Sequence, residues 1–388
     1  MRRPELDLIL TAMLASQPEV SDLLFTVDRP PQVETYGELQ PVALDPPLEK
    51  LTPFQTETIA LNIVGDNLWL IEDLLRHGSC DASYSLGDRA RFRVNIFAQR
   101  GNYSIVCRQL NSTIPTLKKL HFPPVFKEIP TEKTGLVLVT GATGSGKSTT
   151  LAAIIDKINA SRAGHILTIE DPIEFYHRDK KAFVNQREVG VDTSTFDDAL
   201  RSALRQDPDV LLVGEMRDLE TMRTALNAAE TGHMVFSTLH TLDAQETVQR
   251  IIAVFSPSEQ KQIRMQLAST LNGVISQRLV RRADGQGRVP AVEVLVATEF
   301  IRECIINPEK TRLIHEILAS GTSEYGMQTF DQSLYDLYSK GLITMNEASI
   351  WASNAQELKL RAEGISSASE MAREQMERAS ILRVEHFG

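Results

Sequence analysis

The stretch Leu136-Val137-Leu138-Val139-Thr140-Gly141-Ala142-Thr143-Gly144-Ser145-Gly146-Lys147-Ser148-Thr149 decides how this chain is read. Its apolar run predicts a strand covered on both faces. Gly141 to Ser148 satisfy GxxxxGK[ST] and open a helical pattern, the context in which that spacing has a mechanism. Glycines let the main chain approach an anion without Cβ clashes, and successive amides at the helix start surround a phosphate. Lys147 adds a point charge for the β- and γ-phosphates. Ser148 offers its hydroxyl to Mg²⁺, an ion that keeps several waters and takes phosphate oxygens. Gly141 through Thr149 are therefore the expected ATP and Mg²⁺ cradle.

Further apolar runs at residues 166–169, 210–213 and 234–236, separated by helical stretches such as 148–158 and 219–230, predict more buried strands. Together they predict a parallel α/β sheet. Ahead of it, residues 6–15 read as a helix, 22–27 and 32–39 as strands, and 51–75 as mostly helical. Residues 81–84, 89–97 and 102–109 then read as strands, completing an α+β domain over 1–110. Four prolines within 113–130 make a semi-rigid connector, placed at 111–130. The α/β core occupies 131–300. From residue 262 onward the pattern turns helical, giving a helical C-terminal subdomain over 301–388 whose last part, 365–383, is an exposed helix or frayed tail.

The chain has 388 residues, of which 42% are hydrophobic and 24% charged, a soluble globular balance that excludes wholesale disorder. Neither a signal peptide nor a spanning segment is expected, so no membrane insertion either. A net charge of −10 opposes nonspecific nucleic-acid binding, and no nucleic-acid partner is expected. Three scattered cysteines encode neither a disulfide framework nor a zinc module, which suits a reducing cytoplasm.

Acidic residues gather where such sheets bind ligands. Glu170, Asp171 and Glu174 follow the 166–169 run, and a carboxylate there orients or deprotonates an attacking water; turn formation by Asp171-Pro172 explains part of the cluster equally well. Glu215 ends the 210–213 strand as a Walker B acid does, with Glu for the usual Asp, and either holds a Mg²⁺-bound water, positions the attacking one, or favours the next helix through its dipole. His233 and His240 flank the next strand about 23 Å apart at roughly 3.3 Å per residue, too far to share a metal. Each histidine on its own reads as structural, and His240, at the nucleotide end, reads alternatively as a sensor of the γ-phosphate. Arg89, Arg91 and Arg93 alternate with apolar residues, predicting a row of guanidinium groups facing outward. That row reads as an edge guard, a nucleic-acid patch or fingers for a neighbour's phosphate.

GATGSGKST, TIEDPIEF, GEMRD, TGH with TLHT, RFRVNIFAQRG, ISQRL and GMQTFDQSLYDLYSKG together resemble the secretion-ATPase superfamily, and within it the PilT-like pilus-retraction ATPases. The resemblance spans roughly residues 21–360. It implies a PAS-like first domain, a RecA-like P-loop core and a homohexameric ring that hydrolyses ATP at domain and subunit boundaries. It places Glu174 as the catalytic glutamate, Glu215 in the Walker B acid position beside the metal, His233 and His240 in the histidine box, and Arg91 and Arg93 on the strand that reaches a nucleotide. It further implies an inner-membrane pilus platform protein and other pilus motor ATPases as partners, at the cytoplasmic face of that membrane. The tetracysteine element and longer N-terminal region of pilus-extension and type II secretion relatives are not found here, which favours retraction over extension. Leu24 stands where the family often has His, and residues 300–306 match its AIRNLIRE segment only loosely. A RecA-like DNA translocase and a noncatalytic nucleotide-binding subunit are the alternatives from other classes.

Overall fold

The computed structural model describes residues 3–364 apart from 88, 111–112 and 322–324. The tail expectation for 365–383 lies outside the described residues. The described chain divides into two compact units. The first comprises Met1–Ile114, Ile169–Arg178 and Gln186–Ala199, and the second Pro115–Thr168, Asp179–Asn185 and Leu200–Gly388.

The first unit opens with α1 (Arg3–Ser16), then β1 (Val20–Phe25), β2 (Gln32–Thr35) and β3 (Glu38–Pro41). The single strand expected over 32–39 is two, because Tyr36 and Gly37 take positive φ and turn the chain back. Likewise the helical stretch 51–75 breaks at Gly65 into α2 (Pro53–Val64) and α3 (Leu68–His77), and each half starts on its own cap, Thr52 and Asn67. β4 (Ser79–Leu86), β5 (Ala90–Gln99) and β6 (Asn102–Leu110) complete a six-stranded sheet of order β3-β2-β1-β6-β5-β4. Leu6, Leu10, Met13, Phe25, Ile59 and Phe92 fill one core behind it.

The second unit is built on a seven-stranded sheet of order β13-β12-β7-β11-β10-β8-β9. β7 (Gly135–Thr140), β10 (Val210–Val213) and β11 (Met234–Leu239) are buried at every position, as strands covered on both faces must be. β7 and β10 each run parallel to β11. β8 (His165–Glu170) and β9 (Phe183–Glu188) form one edge, and their last residues fall in the first unit. α4 (Lys147–Ser161), α5 (Phe196–Ala203), α6 (Leu219–Glu230), α7 (Ala244–Val254) and α8 (Gln260–Thr270) connect the strands.

The purely helical pattern expected from residue 262 is corrected. After α8 the chain enters β12 (Leu271–Arg281), turns at Asp284-Gly285-Gln286-Gly287, and returns as β13 (Arg288–Val296), antiparallel to β12. β12 in turn runs parallel to β7. The glycine-containing turn between two apolar runs is the hairpin signal that helical periodicity obscured. Helices Phe330–Ser339, Met345–Trp351 and Ala355–Ala362 then pack Phe330, Leu334, Leu337, Ala348 and Leu358 against Val280, Val289 and Ala291 of the hairpin. Cys80, Cys107 and Cys304 are free and buried. Burial pushes the Cys80 thiol up to about 11, where it is unreactive.

Candidate active site

Strand direction assembles the site. Thr140 at the end of β7 pairs with Leu239 at the end of β11, so Gly141 and His240 leave the sheet at the same edge. Val213 of β10 pairs with Ser237, which brings Gly214 and Glu215 out beside them. Thr238 Oγ1 donates to Gly214 O at 2.7 Å and Met216 N to Thr238 O at 3.2 Å, fixing the backbone on both sides of Glu215.

The loop itself is shaped by close approach. Gly141 and Gly146 have φ of 140° and 91°, and a Cβ at Gly141 would lie 2.4 Å from the Gln277 carbonyl oxygen, while one at Gly146 would meet Gln277 Nε2 at 2.8 Å. Only glycine satisfies both demands. Gln277 is thus the wall on which the loop leans, and its Oε1 accepts from Thr150 Oγ1 at 2.7 Å within α4. Lys147 is buried, with Nζ donating to Gly141 O at 2.8 Å and Ala142 O at 3.1 Å, so its charge is held inside the turn.

Three observations test whether a phosphate fits. α4 begins at Gly146 without a side-chain cap, leaving its first-turn amides to another acceptor. Ser145 Oγ is buried and has no hydrogen-bond partner among the described residues. A Cβ at Gly144 would meet nothing within 4 Å, so the outer side of the turn is open. An anion received by backbone amides and a buried ammonium is what this arrangement accommodates.

Beside the loop, Glu215 Oε2 takes Arg217 Nε at 2.6 Å and stands 3.4 Å from His240 Nε2, with the Glu215 side chain 13% exposed. His233 does not join this group. It sits at the opposite end of β11, where Gly135 N donates to its carbonyl and its Nδ1 lies 2.9 Å from Ala228 O at the end of α6.

Glu174 and the arginines belong to the first unit. Glu174 is exposed just beyond β8, while Glu170 Oε1 accepts from Gln186 Nε2 at 3.2 Å. The outward row of arginines is corrected at Arg91. Arg89 and Arg93 are exposed, but Arg91 is buried and ion-paired with Glu188, because the stretch from 169 to 178 and that from 186 to 199 cover its part of β5. Gln277, Arg217 and Glu188 are the participants that motif spacing did not single out. The first two lie inside ISQRL and GEMRD, where other residues of the motif carry the resemblance.

A glycine-rich turn between a buried parallel strand and a helix, with a buried lysine and a strand-ending acid at the same edge, defines a P-loop nucleotide-binding ATPase. Residues 80–380 match the family described as type II/IV secretion system protein. The chain is 45% identical over 341 residues to the type IV pilus retraction ATPase PilT of Pseudomonas aeruginosa, covering 87% of this chain and 96% of that one. It is 49% identical over 278 residues to a twitching motility protein of Neisseria gonorrhoeae, covering 72% and 74%. A crystal structure of the pilus retraction motor PilT with bound ADP superposes with a TM-score of 0.81 at 44% identity, covering 91% of this chain and 98% of that one. The chain belongs to the type II/IV secretion system protein family, and within it to the PilT-like ATPases.

Proposed function

We propose that this chain is the motor that retracts type IV pili, hydrolysing Mg·ATP as a homohexamer on the cytoplasmic side of the inner membrane, against the platform protein of the pilus machine. The observation that supports it most is the loop leaning on Gln277 with Lys147 held inside, in a chain similar along most of its length to a retraction ATPase.

In this reading the backbone amides from Gly144 to Ser148 receive the β-phosphate, and Lys147 exchanges its carbonyl partners for phosphate oxygens. Ser148 and Glu215 are the residues that would hold Mg²⁺. Mg²⁺ keeps several waters and takes much of its shell from phosphate oxygens, so two protein oxygens suffice to place it. When bound, that ion neutralises charge building on the β- and γ-phosphates. Glu174 orients the attacking water and accepts its proton. His240, paired to Glu215, reports on the terminal phosphate, and exposed Arg93 is the arginine offered to a neighbouring chain. Differential affinity for ATP and ADP then biases conformation, which is how turnover becomes movement. No helix among the described residues is long and apolar enough to cross a membrane. In this reading, force reaches the pilus through the platform protein.

Deleting the gene and counting surface pili tests the direction of the motor. Retraction predicts more and longer pili with loss of surface motility; bald cells would make it an extension motor.

A further inference from the structure

One buried ion pair fastens the segment carrying Glu174 to the N-terminal sheet. Arg91 on β5 is 7% exposed and Glu188 at the end of β9 is 3% exposed, and the Arg91 Nη2 meets Glu188 Oε2. The same carboxylate oxygen accepts from the backbone N–H of Ile173 at 3.1 Å, immediately before Glu174. On the other side of Glu174, the Arg91 guanidinium covers the ring of Tyr176, 4.4 Å from its centroid. Arg91 Nη2 also donates to Ser83 Oγ on β4 at 3.1 Å, and Asp192 Oδ2 accepts from Glu188 N at 2.8 Å. All of these residues belong to the first compact unit.

The chemistry of this fastening is not that of ordinary packing. A buried ion pair is an expensive way to hold a loop, and apolar side chains of similar volume do it as well. This pair also leaves Arg91 Nε and Nη1 buried without hydrogen-bond partners among the described residues, a further cost. What it provides is direction. A carboxylate fixes the orientation of the Ile173 amide, and a planar guanidinium lies flat on Tyr176, so the main chain is gripped before and after Glu174.

We propose that Arg91 and Glu188 are positioning residues for hydrolysis, setting the backbone from 173 to 176 so that the exposed Glu174 carboxylate points in one direction and travels with the N-terminal sheet. This rests on the reading of Glu174 as the group that orients water. It also gives Arg91 a role within its own chain, separate from that of Arg93.

The experiment is single-turnover ATP hydrolysis by the full chain, with ATP affinity and melting followed in parallel. Glu188→Gln keeps the shape and an oxygen for Ile173 N but removes the charge. It should slow the chemical step about tenfold to a hundredfold while leaving ATP affinity within about twofold, since misplacing a reacting group by an ångström costs that much. Arg91→Lys, which keeps the charge in the event that Glu188→Gln folds poorly, should fall between the wild type and Glu188→Gln. In a Glu174→Gln background, adding Glu188→Gln should change the residual rate by less than about twofold, because the group being positioned is gone. Normal single turnover by Glu188→Gln and Arg91→Lys, or losses that multiply with Glu174→Gln, would overturn the proposal while leaving Glu174 in place. Wild-type hydrolysis by Glu174→Gln would overturn the assignment of the water-orienting group, and this proposal with it.

Discussion

Glu215 and His240, which leave the sheet at the ends of adjacent parallel strands, face each other across 3.4 Å from Oε2 to Nε2. Arg217 reaches the same oxygen at 2.6 Å, so one carboxylate oxygen faces both a guanidinium and an imidazole.

This pairing predicts coupled effects. Glu215→Gln should bind ATP but lower turnover about a hundredfold or more, and His240→Ala about tenfold, in the range of removing one electrostatic contact to a transition state. The double variant should resemble Glu215→Gln alone, since contacting residues are not additive. Steady-state turnover of the three proteins checks this, and a product of the two single losses would separate the residues functionally.

The loop predicts a steric result. Gly141→Ala places a Cβ 2.4 Å from Gln277 O and 2.6 Å from Ser145 Oγ, at a φ of 140° that L-residues avoid. The Gln277 carbonyl belongs to the backbone of β12 and can retreat only by moving the strand. A loss of about 2–4 kcal/mol is expected from strain and overpacking together. Urea denaturation measures it, and an unchanged midpoint would mean that the loop does not lean on β12.

A pH dependence arises from Glu293 on β13. This carboxyl is 2% exposed and accepts from Ala244 N at 2.8 Å, at the start of the helix that comes after His240. Burial raises it from 4.5 to about 7, outweighing the amide, while the Asp243 charge adds to the rise. Between those two values the native state binds the proton more tightly than the unfolded chain does. The contribution of Glu293 to stability is therefore fully present below the ordinary carboxyl range, is lost as pH rises toward 7, and levels off above it, a change of about 3 kcal/mol. Urea melts at pH 5 and pH 8 should show the decline in the wild type and a flatter profile in Glu293→Gln. Equal slopes in the two proteins would assign the dependence to other groups.

Much of the fold and part of the site are legible from local pattern. The continuous apolar runs at 136–139, 210–213 and 234–236 form strands because a sheet covered on both faces admits no alternation. The glycine spacing locates the loop because only those residue types permit its backbone. The rise of a strand is enough to separate His233 from His240. What escapes depends on residues far apart in sequence. Alternation along β5 identifies the face on which Arg91 lies, but not that Glu188 and Tyr176 cover it. Gln277 gives no signal of its own, because its part is to be the surface against which Gly141 and Gly146 close. The β12–β13 hairpin passes for helix because its apolar residues fit both periods, and only the Gly285 and Gly287 turn distinguishes them.

In the proposed reaction the turn before Ser148 holds the phosphates of ATP, and Lys147 supplies charge to the bond that breaks. Turnover of Mg·ATP by the purified full chain, wild type beside Lys147→Ala, tests it most directly. Lys147→Ala should still fold with a cooperative melting transition, and should lose at least about a hundredfold in turnover. Undiminished hydrolysis by Lys147→Ala, or a wild-type chain that neither binds nor hydrolyses ATP, would rule out this phosphate site.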